Sequence, residues 1–280
     1  MSPAISRTCP SPASTPPRFA EIAHDLRDRI IEHYERRAER LDTPAGLLTL
    51  DINSVLAAER GRLLLRLLAE AGAGSIEGLR VLDVGAGFGA LALYYAHLGA
   101  EVVAVDPNEQ RMQVALAIAA QHGLTLSATS ARAQSLPFPD ESFDLAIANN
   151  SLYYIVEPRE HRAALREIRR VLRVGGWLAV RNPNRLHPRD QFTDVPLLGM
   201  LSPTLARRAA DAMNLRRPEV RLQSPHRAVR ELRRAGFADA RWRPEPHRRL
   251  GARFASYQNV TARRGAPEHP AGRAQAVLAS

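Results

Sequence analysis

Three observations predict an α/β fold built on a doubly wound, mostly parallel sheet. From about residue 80 onward, short apolar runs alternate with segments of helical period. One run, Val81-Leu82-Asp83-Val84, passes at once into a glycine turn, Gly85-Ala86-Gly87-Phe88-Gly89. The next run, EVVAVD, closes on Asp106, 21 positions after Gly85.

Residues 1–17, with five prolines, are expected to be a disordered tail. Residues 18–71 are expected to form an N-terminal helical cap. Within it Phe19, Ile22, Ala23, Leu26, Ile30, Tyr34 and Leu41 recur at three- and four-residue steps, predicting a helix over 19–41. Pro44-Ala45-Gly46 breaks that helix, and one or two more cover 51–71.

The core is expected over 72–264. Strands are predicted near 80–84, 101–105, 124–129, 143–148 and 177–182, and helices near 88–98, 108–122 and 158–172. Residues 183–222 are too long for a plain connection. Phe192, Val195, Leu197, Leu198, Met200 and Leu201 make them too apolar for disorder, so they read as a substrate cap with a short helix near 203–213. A helix over 225–236, ended by Gly236, precedes strands near 238–243 and 254–262. Residues 265–280 are expected to be a frayed tail.

Hydrophobic residues make up 45% of the 280. No apolar run approaches the ~20 residues needed to span a bilayer, and the N-terminus lacks a secretory apolar stretch, so a cytoplasmic protein is expected. Cys9 is the only cysteine, which excludes an internal disulfide framework and a cysteine-based metal site. Asp140, Glu141 and Asp144 have no histidine at ligand spacing, so no metal is expected. All 39 basic residues are arginine, and the net charge is +10. Residues 181–264 carry 19 arginines against 7 acidic residues. Such basicity is either a solvated surface or an attraction to an acidic partner: a phosphorylated or carboxylated substrate, anionic lipid, or nucleic acid.

Glycines let the backbone approach a ligand, and helix-start N–H groups then point at it. An acidic residue at position 106 can hold a ribose hydroxyl pair. The glycine turn also satisfies the dinucleotide pattern GxGxxG/A, and a tight turn that binds nothing stays open at this level.

Two further segments, SLPFPDESFDLAIANNSLYYI over 135–155 and ALREIRRVLRVGGWLAV over 164–180, extend the pattern. With them the chain resembles the class I S-adenosylmethionine-dependent methyltransferases, in particular the small-molecule branch. The resemblance rests on Asp83 before Gly85, Gly87 and Gly89, and on Asp106. It rests also on Leu136, Pro137, Phe138, Asp140, Phe143 and Asp144. Glu167, Arg170, Val171, Leu172, Arg173, Gly175 and Gly176 complete it, with Val174 where the family has proline. It covers roughly 60–262. It implies a Rossmann-like sheet of seven strands and S-adenosyl-L-methionine as cofactor. The implied cofactor contacts are Asp83, Gly85, Ala86, Gly87, Gly89, Asp106, Pro107, Ala133, Gln134 and Asn149. The family often has an Asp near 132 to accept from adenine; Arg132 is donor-only, which shifts that role to the Ala133 backbone and Gln134.

Methyl transfer is an in-line displacement in which positioning does much of the work. A base is needed only where the acceptor must lose a proton. Candidates are Tyr153 and His187, with Tyr154, His161 and His226 behind them. His161 is expected to be solvated on a polar helix face. His187 sits beside Arg185 and Arg189, where it could meet an acidic acceptor. Asn149 and Asn150 are placed to contact cofactor or acceptor. NPPY, typical of methylation at exocyclic or amide nitrogen, is absent. The leading expectation is transfer to a small molecule: a secondary metabolite, sugar or lipid. The alternative is an RNA methyltransferase using the arginine-rich third, disfavoured because Trp177 and Trp242 fall in predicted strands and few aromatics remain for stacking. An NAD oxidoreductase leaves the later motifs unexplained, and a decayed site, suggested by Arg132, conflicts with the intact glycine turn and Asp106.

Overall fold

The computed structural model describes residues 17–37, 47, 50–244 and 256–265. The two expected tails lie almost wholly outside these residues, as do positions 38–41 of the expected first helix and the break at Pro44–Gly46.

Seven strands form one sheet: β1 (Arg80–Val84), β2 (Glu101–Asp106), β3 (Leu126–Ser130), β4 (Phe143–Asn149), β5 (Leu172–Pro183), β6 (Phe237–Pro244) and β7 (Tyr257–Arg264). Their order is β3-β2-β1-β4-β5-β7-β6. The first five pair in parallel, and β7 runs antiparallel to both β5 and β6. The helices are α1 (Pro17–Arg36), α2 (Ala57–Glu70), α3 (Ala90–His97), α4 (Glu109–Gln121), α5 (Pro158–Val171), α6 (Pro203–Ala212) and α7 (Pro225–Arg234). β5 begins five residues before the predicted strand. Leu172 already pairs with Phe143, and the left-handed Gly175 (φ +83°) bends the chain into the long strand.

Two cores flank the sheet. On one face Val81, Val102, Leu145 and Ile147 meet α1, α2 and α3; on the other Leu82, Val103, Ala146 and Leu178 meet α5 and α7. α1 buries Phe19, Ile22, Leu26 and Ile30, the spacing its sequence predicted, and the Phe19 ring meets Tyr94 edge-on at 5.0 Å. α2 comes so close to α3 that a Cβ on Gly61 would lie 2.3 Å from the Tyr94 ring.

The LPF and E-x-x-R segments touch each other. Glu167 accepts from the Leu136 amide (3.0 Å). Arg170 donates to Glu167, to Asp140 (2.8 Å) and to the Leu136 and Phe138 carbonyls. That clamp holds the chain just after Ala131–Gln134.

The connection after β5 has a small core of its own, Leu198, Ala206 and Ala210. Its anchor is the buried pair Asp190–Arg217 at 3.0 Å, whose Asp190 also accepts from the Phe192 and Thr193 amides. The far end is tied down at Glu231 of α7, which meets Arg221 and Gln223 (both 2.6 Å), Arg227 (3.1 Å) and His161 (3.3 Å). His161 is therefore not solvated as its sequence position suggested. It lies on the buried face of α5, at the spacing of Ala164, Leu165 and Ile168. Burial lowers its pKa against the opposing pull of Glu231, which favours the neutral imidazole.

Candidate functional site

A cavity of about 1190 Å³ opens at the carboxyl ends of β1 and β4, where the strand order reverses. Its walls contain nine of the ten expected cofactor contacts: Asp83, Gly85, Ala86, Gly87, Asp106, Pro107, Ala133, Gln134 and Asn149. Gly89 does not line it. Tyr153 and Tyr154 line it, and His161, His187 and His226 do not.

The glycine turn is fitted to both its own chain and the space above it. Gly85 (φ +71°) lies against Ser151, whose Cβ would sit 2.3 Å from any Cβ placed there. Gly87 (φ +59°) faces open space: a Cβ would find only the Asn53 amide oxygen, at 3.8 Å. Asp106 braces this turn by accepting from the Gly87 amide (3.0 Å) and the Asn108 amide (2.9 Å). A carboxylate has about four acceptor sites, so its free lone pairs can still take a diol.

Three groups were not anticipated. Arg60 of α2, Asn53 and Tyr34 all line the cavity, and Arg60 donates to the carbonyls of Ile52 and Leu56. Arg60 falls on the apolar stripe of α2, three residues after Ala57 and four before Leu64. A charge at that position in the sequence was the available signal.

Arg60 and Asp83 both line the cavity, close enough to act on each other electrostatically. Burial, and next the neighbouring Asp106, raise the Asp83 carboxyl to about 7; Arg60 and the Ala92 amide work against them. Burial and the nearby Arg181 lower Arg60 to about 10. Asp83 Oδ2, Asn149 Oδ1 and Asn150 Oδ1 are buried without a hydrogen-bond partner among the described residues. Three orphan acceptors on one cavity floor match a ligand that brings donors.

The remaining candidates fall into place around this floor. Gln134 donates to Glu160 at 3.3 Å, and the exposed Arg132 sits on the rim. Tyr153 is buried; burial first, and then Tyr154, push its phenol well above the usual range, so it stays a neutral O–H rather than a base. Its ring lies 6.0 Å from Phe192, and Gln191 and Tyr257 complete that end of the cavity. His187 points into the insertion: Nδ1 is 2.7 Å from the Arg189 carbonyl and Nε2 is 3.3 Å from Ser256 Oγ. Arg185 donates to the Met200 and Leu201 carbonyls, and Arg189 to Asp194. The arginines on the cavity wall are instead Arg60, Arg111 and Arg132. His226 faces Trp242.

Residues 82–180 match the family model described as a methyltransferase domain. An uncharacterized protein of Mycobacterium tuberculosis is 44% identical over 114 residues, 41% of this chain and 40% of that protein. A ubiquinone biosynthesis O-methyltransferase of Cereibacter sphaeroides is 35% identical over 109 residues, 39% of this chain and 43% of the relative. The chain thus spans about two fifths of the length of the curated relatives it matches. The crystal structure of an S-adenosylmethionine-dependent methyltransferase from Mesorhizobium loti superposes with a TM-score of 0.53 at 22% identity. It covers 70% of this chain and 95% of its own, a likeness of fold.

Proposed function

We propose that this chain, whose residues 82–180 match the methyltransferase-domain model, is a class I S-adenosylmethionine-dependent methyltransferase that acts on a small-molecule acceptor. The carrying observation is the floor of the cavity. Asp83, its Oδ2 without a hydrogen-bond partner, lies with Arg60, the open glycine turn and Asp106 on one cavity wall. Those groups fit the cofactor: Asp106 would take the ribose diol, and the Ala133–Gln134 wall the adenine. Asp83 and Arg60 would meet the ammonium and carboxylate of the amino-acid end. When bound, the cofactor supplies a methyl group on a sulfonium, an already activated leaving group.

The chain's own residues then bind, orient and dry the reacting centre. The Asp83 carboxylate, ionised by a cationic ligand, adds attraction in a water-poor setting. Tyr153 stays an O–H donor. Among the described residues no histidine lines the cavity, so no imidazole serves as base there. An acceptor needing deprotonation would pass its proton to water or to a wall carboxylate.

Ile52, Pro183, Phe192, Tyr153 and Tyr257 give the cavity an aromatic and apolar stretch of wall. That wall favours a lipid-like or aromatic metabolite over a sugar, in keeping with the quinone pathway named for the Cereibacter sphaeroides relative. Calorimetry with S-adenosylmethionine and its demethylated product tests the cofactor; binding of NAD instead would refute it. A mass-shift screen of metabolite extracts with labelled cofactor tests the acceptor class. Methyl incorporation into RNA but not into small molecules would reverse that assignment.

A further inference from the structure

We infer that the exposed apolar ridge of the insertion after β5 is a docking surface for an anionic lipid bilayer. Among the described residues six large apolar side chains are exposed: Tyr154, Val174, Leu197, Leu201, Leu205 and Met213. Four of the six fall within residues 197–213, and Tyr154 lies on the cavity wall. Single exposed leucines need no explanation, but concentration in one segment does.

Most of these side chains lie off the face that the insertion's own core covers. On α6 Leu205, Ala209 and Met213 recur at every fourth position, with Leu205 and Met213 exposed, Ala209 packed partly on the insertion's core and Leu201 in extended chain just before the helix. The neighbouring stripe, Ala206 and Ala210, is the one buried against Leu198. Leu197 is 57% exposed and also left-handed (φ +61°), a costly conformation for a bulky residue that burial does not offset.

Charge decides the occupant. Residues 183–222 carry seven arginines against four acidic residues. Three of those acids face Arg217, Arg189 and Arg207 within the insertion, leaving a positive excess in which Arg208 and Arg216 are exposed. Aliphatic side chains interleaved with guanidinium groups suit a lipid surface: the former enter the acyl boundary and the latter meet phosphate. A second copy of the chain would set these arginines against each other, and the ridge lacks the aromatics that enrich protein interfaces. The same insertion supplies Gln191 and Phe192 to the cavity, so docking would bring the acceptor end of the site to the bilayer.

The test is co-sedimentation of the full chain with phosphatidylglycerol-containing vesicles and with pure phosphatidylcholine vesicles, at low and physiological salt. The protein should bind the anionic vesicles. The triple variant Leu201→Ser, Leu205→Ser, Met213→Ser should bind about tenfold or more weakly at unchanged net charge. Arg208→Gln with Arg216→Gln should weaken binding in a salt-dependent way. Unchanged thermal unfolding of the variants checks the fold. Failure to bind anionic vesicles would overturn the assignment. So would equal binding by the triple serine variant, which would reduce the effect to the general attraction of a +10 chain. A solution dimer dissociated by the same serines would overturn it in favour of self-association.

Discussion

Asp83→Asn should make the ligand-free protein more stable at pH 8 while weakening its cofactor. Asp83 is 2% exposed, and its carboxyl is raised from 3.8 to about 7. One pKa unit corresponds to about 1.4 kcal/mol, so ionising Asp83 in the folded state costs on the order of 4 kcal/mol. The sign follows from linkage. The unfolded chain releases this proton near pH 4 and the folded chain near pH 7. Stability is therefore full below the lower value and is lost as pH rises through the upper one. Asparagine has nearly the same shape and no charge. Urea unfolding at pH 5 and pH 8 reads the difference. Between those values the wild type should lose about 2–3 kcal/mol more than the variant, most of the remaining shift being spent below pH 5. Saturating S-adenosylmethionine should shrink that gap, because a cationic ligand repays the buried charge. Its affinity for the wild type should rise with pH through about 7, with proton release visible as a buffer-dependent binding heat. Parallel stability curves for the two proteins would refute a buried, strained Asp83. A variant that binds cofactor as tightly as the wild type would refute its part in binding.

Three further outcomes are expected. Asp106→Ala should weaken cofactor binding by about 1–3 kcal/mol in calorimetry, since it loses charged hydrogen bonds and frees the Gly87 amide it braces. Arg60→Gln should raise the cofactor dissociation constant far more than Arg185→Gln with Arg189→Gln, whose side chains serve carbonyls and Asp194 inside the insertion; the reverse order would return anion recruitment to the insertion. Gly61→Ala should lower the unfolding midpoint although alanine favours helix, because its Cβ would sit 2.3 Å from the buried Tyr94 ring; overpacking of this kind costs about 1–3 kcal/mol.

The fold and the glycine-turn end of the cavity were legible in the sequence because their signals are local. A strand buried on both faces is mostly apolar, a crowded left-handed turn favours glycine, and Asp106 lies a fixed crossover away from Gly85. Each leaves a mark within a few residues of its neighbour. The rest of the cavity wall carries no such mark. Tyr34, Asn53, Arg60, Gln191, Phe192 and Tyr257 come from five separate stretches of chain, and only the packing of α1, α2, the insertion and β7 brings them to one cavity. Polar residues show the same divide. His161 was expected in solvent and His187 at an acidic acceptor, yet tertiary contacts set His161 against Glu231 and turned His187 toward Ser256. A side chain's own helix determines which face it occupies; the identity of what covers that face is decided by residues tens of positions away, through desolvation and ion pairing that exist only once the chain has closed on itself.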